Sequence, residues 1–296
     1  MTRLRTGLRQ WKTALPFILP GLILVILFSV YPIFQNARMS ITNFNVLTQK
    51  SQGFVGFTNY VRAASDPVVV TATVNTIVYA LVCIPIEMLL GLFIAALLHS
   101  GVRGNLVYRA LCYLPVITSW VIVSLIFRYL FSSGQGGLVN YLLGGLGLIS
   151  APVAWLSHRW TAFVAIWSLE IWKSIGWVMV IYLAGLQGVP KALYEAARID
   201  GSGWFNRLRF ITVPLLRPVT VYILVNRVIG AFSAFISIYM ITDGGPMNRT
   251  EVLLSYMYKA GFQYFEFSYA STLSMIMAVL ILMFSGTHRL LIKEEK

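Results

Sequence analysis

Glu195-Ala-Ala-Arg-Ile-Asp-Gly201, with Ile211 and Val213-Pro214 about one short helix later, is a polar segment set between two long apolar runs. Those runs, about 161–188 and 214–241, are each longer than the roughly 20 residues a helix needs to cross a bilayer. A charged segment between two such spans lies at a membrane face, so this stretch points to a membrane fold. Its own grammar is helix, glycine, helix. Pro190 stands where a helix can begin, since proline in the first turn forfeits no hydrogen bond. Lys191–Asp200 is rich in good helix formers, and Leu193, Ala196 and Ala197 give it a shallow apolar face. Gly201 and Gly203 allow a sharp backbone turn. Trp204–Thr212 then sets Trp204, Leu208 and Ile211 along one side, and Pro214 and Pro218 lead into the next span. Glu195, Arg198 and Asp200 can fix register across a protein contact. Two readings fit these residues alone: a docking surface for another protein, and an amphipathic loop lying on the membrane.

The composition agrees with a polytopic membrane protein. Of 296 residues, 58% are hydrophobic and 11% charged, against about 25% charged in soluble domains; the mean hydropathy is +0.76. Six segments reach spanning length, at about 14–35, 70–98, 107–131, 161–188, 214–241 and 268–288. The intervening stretches 36–69 and 132–160 have room for short interfacial helices, and Trp155 and Trp160 suit a headgroup boundary. The net charge of +13 does not indicate nucleic acid, because the basic residues are dispersed and form no stripe interleaved with aromatics. Arg3, Arg5, Arg9 and Lys12 precede an apolar run that is too long for a signal core and has no small-residue cleavage site after it, so an uncleaved first span is expected.

Charge also orients the chain. With the N-terminus inside, 14 Lys and Arg residues fall on the inner side, among them Arg3, Arg103, Lys191, Arg198, Arg217, Arg289, Lys293 and Lys296. Six fall outside: Arg38, Lys50, Arg62, Arg159, Arg249 and Lys259. The positive-inside rule therefore places both termini, and Glu195–Gly201, in the cytoplasm.

The pattern Glu195-Ala-Ala-x-x-Asp-Gly201, then Ile211-x-Val213-Pro214 and Pro218, resembles the EAA loop of bacterial ABC importer permeases in identity and spacing. Ser202-Gly203 departs from the usual Ala-Ser, and Val213 from the usual leucine. Leu19-Pro-Gly21, Tyr31-Pro32, Phe54-Val-Gly-Phe-Thr-Asn-Tyr60, Asn75-Thr76 and Tyr108-Arg109 extend the similarity, as do Leu114-Pro115, Ile171-Trp-Lys173, Ala184-Gly-Leu-Gln187 and Gly244-Gly-Pro246. Together they resemble the carbohydrate-importing, maltose-type and glycerol-phosphate-type branch. The resemblance implies an all-α, six-span, type I importer permease fold, with 1–296 as one transmembrane domain and 190–212 as its cytoplasmic coupling loop. It implies that Glu195, Ala196, Ala197, Asp200, Gly201 and Pro214 couple to ATPase subunits. It also implies a second homologous permease in a heterodimer, two ATPase subunits that bind ATP and Mg, and an extracytoplasmic solute-binding protein. The location implied is the bacterial cytoplasmic (inner) membrane, and no cofactor is implied for this subunit. The expected cargo is a sugar or oligosaccharide, with a glycerol phosphoester or charged saccharide as the alternative.

Polar groups inside spans are costly and therefore suggest function. Glu170 and Lys173, three apart, can meet on one helical face, either neutralising each other or lining a translocation path. Asn226, Gly230, Ser233 and Ser237 recur at helical spacing as one small, polar face, suited to helix packing or to a path. Arg227 can touch solute or pair with Glu170 or Glu87, and Glu87 after Pro85 can serve groups freed by a kink. Trp167, with Trp172, Trp177, Phe232 and Phe235, offers rings for sugar stacking or for packing. Asp243-Gly-Gly-Pro246 supplies a turn outside the fifth span. Cys83 and Cys112 read as small buried hydrophobes, and no metal site is expected.

Two other classes fit less well. An ion-coupled transporter would show paired discontinuous helices in two repeated halves, and the six spans are dissimilar. An intramembrane enzyme would need H-E-x-x-H or G-x-S-x-G; neither occurs, and His99, His158 and His288 are scattered. No G-x-x-x-x-G-K-[ST] loop is present to cradle a nucleotide's phosphates.

Overall fold

The structure, a computed structural model, describes residues 2–45, 50–101, 103–134 and 136–291. Lys293 and Lys296 of the charge count lie outside the described residues. In chain order the elements are α1 (Thr2–Val25), a π turn, α2 (Tyr31–Ser40), β1 (Thr42–Asn45), β2 (Lys50–Phe54), α3 (Thr58–Ser65), α4 (Pro67–His99), α5 (Asn105–Ile117), α6 (Trp120–Leu130) and α7 (Leu138–Gly145). There follow α8 (Arg159–Gln187), α9 (Lys191–Ile199), α10 (Trp204–Arg207), α11 (Val213–Leu215), α12 (Arg217–Phe232), α13 (Ile236–Ile241), α14 (Leu253–Tyr258) and α15 (Phe267–Leu291). Among the described residues, the all-α expectation holds apart from one small antiparallel hairpin, β1–β2, with Thr42 opposite Phe54. It occupies part of the 36–69 stretch read as interfacial helix.

Among the described residues, four helical stretches are long and apolar enough to cross a membrane: Ala14–Ser40, Pro67–His99, Arg159–Gln187 and Phe267–Gly286. Counting each bent helix pair as one span raises the number to six. The expected third span, 107–131, is not one helix. α5 and α6 meet at 94°, because Thr118 and Ser119 adopt extended backbone after Pro115. The expected fifth span, 214–241, is also interrupted. It bends by 71° at Leu216, where Pro218 has no N–H to offer the carbonyl four residues earlier. It stops again after Phe232, and Phe235 (φ −138°) resets the chain before α13.

Contacts group the chain into two compact units, Met1–Ser65 with Met257–Ile276, and Asp66–Tyr256 with Met277–Lys296. In the first, the apolar span Ala14–Ser40 has none of its most apolar window buried, while Arg62 pairs with Glu266 at 2.8 Å. In the second, α4 and α8 form the axis. Gly91 of α4 lies so close to α8 that a Cβ there would overlap Val178; small residues permit this approach in membrane helices. One apolar cluster centres on Tyr79, Cys83, Phe163, Ile166, Leu169 and Phe232. Another joins Ala95 and Leu98 to Met179, Tyr182, Leu186, Leu216 and Ile223. Between them, α4, α8 and α12 bring their charged residues together.

Candidate functional site

The loop between α8 and α12 is a finished mechanical part. Pro190 is the N-cap of α9. At the other end Gly201 has φ +73°, Gly201 N–H donates to Arg198 O (3.0 Å) and Ser202 N–H to Ala197 O (2.8 Å). This pair of bonds is a Schellman motif, which ends a helix on a residue of left-handed conformation. Gly203 differs from the sequence reading: its φ of −68° is open to any residue, so of the two glycines Gly201 alone holds the left-handed backbone of the turn. Glu195, Ala196, Asp200 and Pro214 are exposed, and Ala197 is half-buried. Leu193 is 43% and Ile199 86% exposed, an apolar edge that α9 leaves uncovered. Behind it, Tyr194 OH and Thr212 Oγ1 share a hydrogen bond of 2.9 Å, Arg207 donates to Ser202 O (2.5 Å), and Trp204 packs edge-on against Phe93. The Phe93 contact ties the loop to α4, and the two hydrogen bonds hold the loop together just ahead of α12.

Within the membrane spans, one charged cluster joins three helices. Arg227 of α12 donates through Nε to Glu87 of α4 at 2.6 Å and through Nη2 to Glu170 of α8 at 2.6 Å. Tyr79 donates to the other Glu170 oxygen at 2.6 Å, and Ser174 to Glu170 Oε1 at 3.1 Å. Glu87 is fully buried. The i,i+3 pairing read for Glu170 and Lys173 is not formed. Lys173 turns instead to the α5–α6 break, where its ammonium donates to Pro115 O (2.8 Å), Thr118 O (2.6 Å) and Val116 O (3.3 Å). A broken helix inside a membrane exposes carbonyls that water cannot reach; this lysine satisfies them. The helices are close enough for that reach because Gly176 of α8 abuts the Cys112 carbonyl, leaving no room for a Cβ.

Beside the cluster is an open cavity of about 260 Å³, lined by Val116, Trp120, Lys173, Ser174, Trp177, Asn226 and Arg227. It gathers four of the residues picked from sequence, Lys173, Trp177, Asn226 and Arg227, next to Glu170. Gly230 and Ser233 extend the exposed face of α12. Ser237 does not join them: the break after Phe232 puts it on α13, where it is buried. Trp167 stacks on Phe163 (5.4 Å) away from the cavity, while Trp177 lines it. Tyr79, Trp120 and Ser174 had not been singled out. The readable signal for two of them was spacing, since Ser174 lies four residues after Glu170 and Tyr79 eight before Glu87 on one helix. A second cavity, about 230 Å³, lies under α9 among His99, Lys191, Tyr194, Glu195, Arg198 and Arg207.

Comparison with known proteins agrees with the fold. Residues 87–294 match the family model described as binding-protein-dependent transport system inner membrane component. The chain is 33% identical to the lactose transport system permease protein LacF of Rhizobium radiobacter, over 95% of this chain and 94% of that one. It is also 33% identical to the arabinooligosaccharides transport system permease protein AraP of Bacillus subtilis, over 93% and 87%. Among solved structures it is similar to a chain of a bacterial alginate ABC transporter in complex with an alginate pentasaccharide-bound periplasmic protein. That match has a TM-score of 0.79 at 25% identity and covers 96% of this chain and 95% of the other.

Proposed function

The chain belongs to the binding-protein-dependent transport system inner membrane components, and from that membership we propose that it is one transmembrane subunit of an ATP-driven importer of a sugar or oligosaccharide. An external solute-binding protein delivers the cargo. The observation that carries the reading is α9: an exposed helix with a bare apolar edge and a fixed glycine terminus, placed between two spans. Such an element suits a groove on a partner better than a membrane surface, because its charged residues Glu195, Arg198 and Asp200 surround the apolar edge. We assign the contact with the ATPase subunits to Glu195, Ala196, Ala197, Asp200, Gly201 and Pro214. Those partners bind ATP and Mg; this chain has no phosphate loop of its own. The uncovered Ala14–Ser40 span and the exposed α12 face suit a second, homologous permease. Both termini then lie in the cytoplasm, and the path runs past the cavity at Trp177, Asn226 and Arg227.

In this mechanism, closure of the ATPases draws α9 inward. The loop's contact with α4 and its chain connection to α12 carry that displacement to the helices around the cavity, which opens outward to receive cargo, and hydrolysis returns it. The test is ATP hydrolysis by the complete complex reconstituted in nanodiscs, with and without sugar-loaded binding protein. Stimulation by a saccharide is expected. Uptake driven by an ion gradient, with no nucleotide, would sink the reading.

A further inference from the structure

We propose that Glu87 and Glu170 set cargo specificity, making the cavity refuse anionic saccharides by cancelling the charge of the cations at its wall. The proposal rests on the importer reading and concerns which saccharides the path accepts. Two cations, Lys173 and Arg227, line the cavity, and by residue type alone they invite a carboxylate, sulfate or phosphate. Their surroundings withdraw the invitation. Arg227 is held by two carboxylates from different helices, each at 2.6 Å. Lys173 has three donor hydrogens and faces four oxygens of the α5–α6 break, at 2.6 to 3.3 Å. By formal charge, two cations meet two carboxylates and leave no surplus.

Glu87 is committed to Arg227. It is fully buried, its Oε2 meets Arg227, and its Oε1 has no partner among the described residues. A single carboxylate would suffice to neutralise a buried guanidinium. Lys173 is occupied in its own way, by neutral carbonyls and a hydroxyl. An anion in the cavity would have to displace a carboxylate from Arg227 or stand beside two of them, and like charges repel at that range. Neutral recognition survives intact. The ion pairs occupy Nε and Nη2 of Arg227, so Nη1 keeps its hydrogens for a cargo hydroxyl. Asn226 adds an amide, and Trp177 an apolar face for ring C–H groups.

The test bypasses the binding protein's own selectivity. The complete complex, held with ATP and vanadate in nanodiscs, is titrated with radiolabelled lactose, maltotriose and arabinotriose, and with trigalacturonate as the anionic probe. The wild type should retain at least one neutral sugar about tenfold or more in preference to trigalacturonate. Glu87→Gln, which keeps an oxygen acceptor for Arg227, should cut that preference about tenfold, and Glu87→Gln/Glu170→Gln should cut it further. Trigalacturonate binding as well as the neutral sugars in the wild type would overturn the proposal without any variant. So would an unchanged preference in both variants, assembled with their partners. A complex that binds no saccharide, and whose ATPase answers to another solute class, would overturn the sugar reading itself and the proposal with it.

Discussion

Lys173 does for the third span what peptide N–H groups do for an unbroken helix. Replacing it with Met keeps the bulk and removes the donors, leaving the carbonyls at Pro115, Val116 and Thr118 unmet in an apolar setting. The expected cost is about 3 kcal/mol or more, read as a lower thermal unfolding midpoint of the purified complex. Arg227→Met strands two carboxylates and should cost about 3–5 kcal/mol; a melting point equal to wild type would contradict the pairing described for either residue. The sequence identified these residues as expensive in a membrane but could not show their partners. Glu170 and Lys173 are neighbours by spacing, yet each finds better chemistry across a helix boundary: Glu170 a guanidinium and the Tyr79 hydroxyl, Lys173 a set of freed carbonyls. Partners 57 and 58 residues away leave no mark on local pattern.

At the scale of elements, α9 was the most legible and the broken spans the least. A proline, a run of helix formers and a glycine spell out α9 in chain order, and the structure alters only the role of Gly203. Since a Cβ at Gly201 meets nothing within 4 Å, the constraint there is backbone conformation alone. Gly201→Val should therefore weaken the turn by about 1–2 kcal/mol and lower transport per ATP hydrolysed. Gly201→Asn, a residue that tolerates the left-handed region, and Gly203→Ala should stay close to wild type. Equal coupling in the valine and asparagine variants would remove the assigned role of the bend. The break at Thr118-Ser119 was hidden because neither residue is Gly or Pro and Pro115 is tolerated inside membrane helices. The break after Phe232 was hidden for a similar reason, and with it the removal of Ser237 from the α12 face.

For the whole molecule, the six apolar runs were readable from hydropathy, whereas the cluster joining three of them emerges only when the chain is folded. The proposed orientation has a direct check. In a background with Cys83 and Cys112 replaced, Ile199→Cys should react with a membrane-impermeant maleimide in inside-out vesicles and not in right-side-out ones, and bound ATPase should protect it. The reverse accessibility would invert the topology. The Glu87–Arg227 pair has a further consequence, for how the chain is made. The two residues are 140 positions apart, so at about 5–20 residues per second a ribosome needs about 7–28 s to deliver the arginine after the glutamate has entered the bilayer. For that interval the nascent protein carries an acid without its counter-ion. Chains stopped at residue 200 should be cleared faster by membrane proteases in a pulse-chase experiment than chains stopped at residue 240, and equal half-lives would show that quality control ignores the missing arginine.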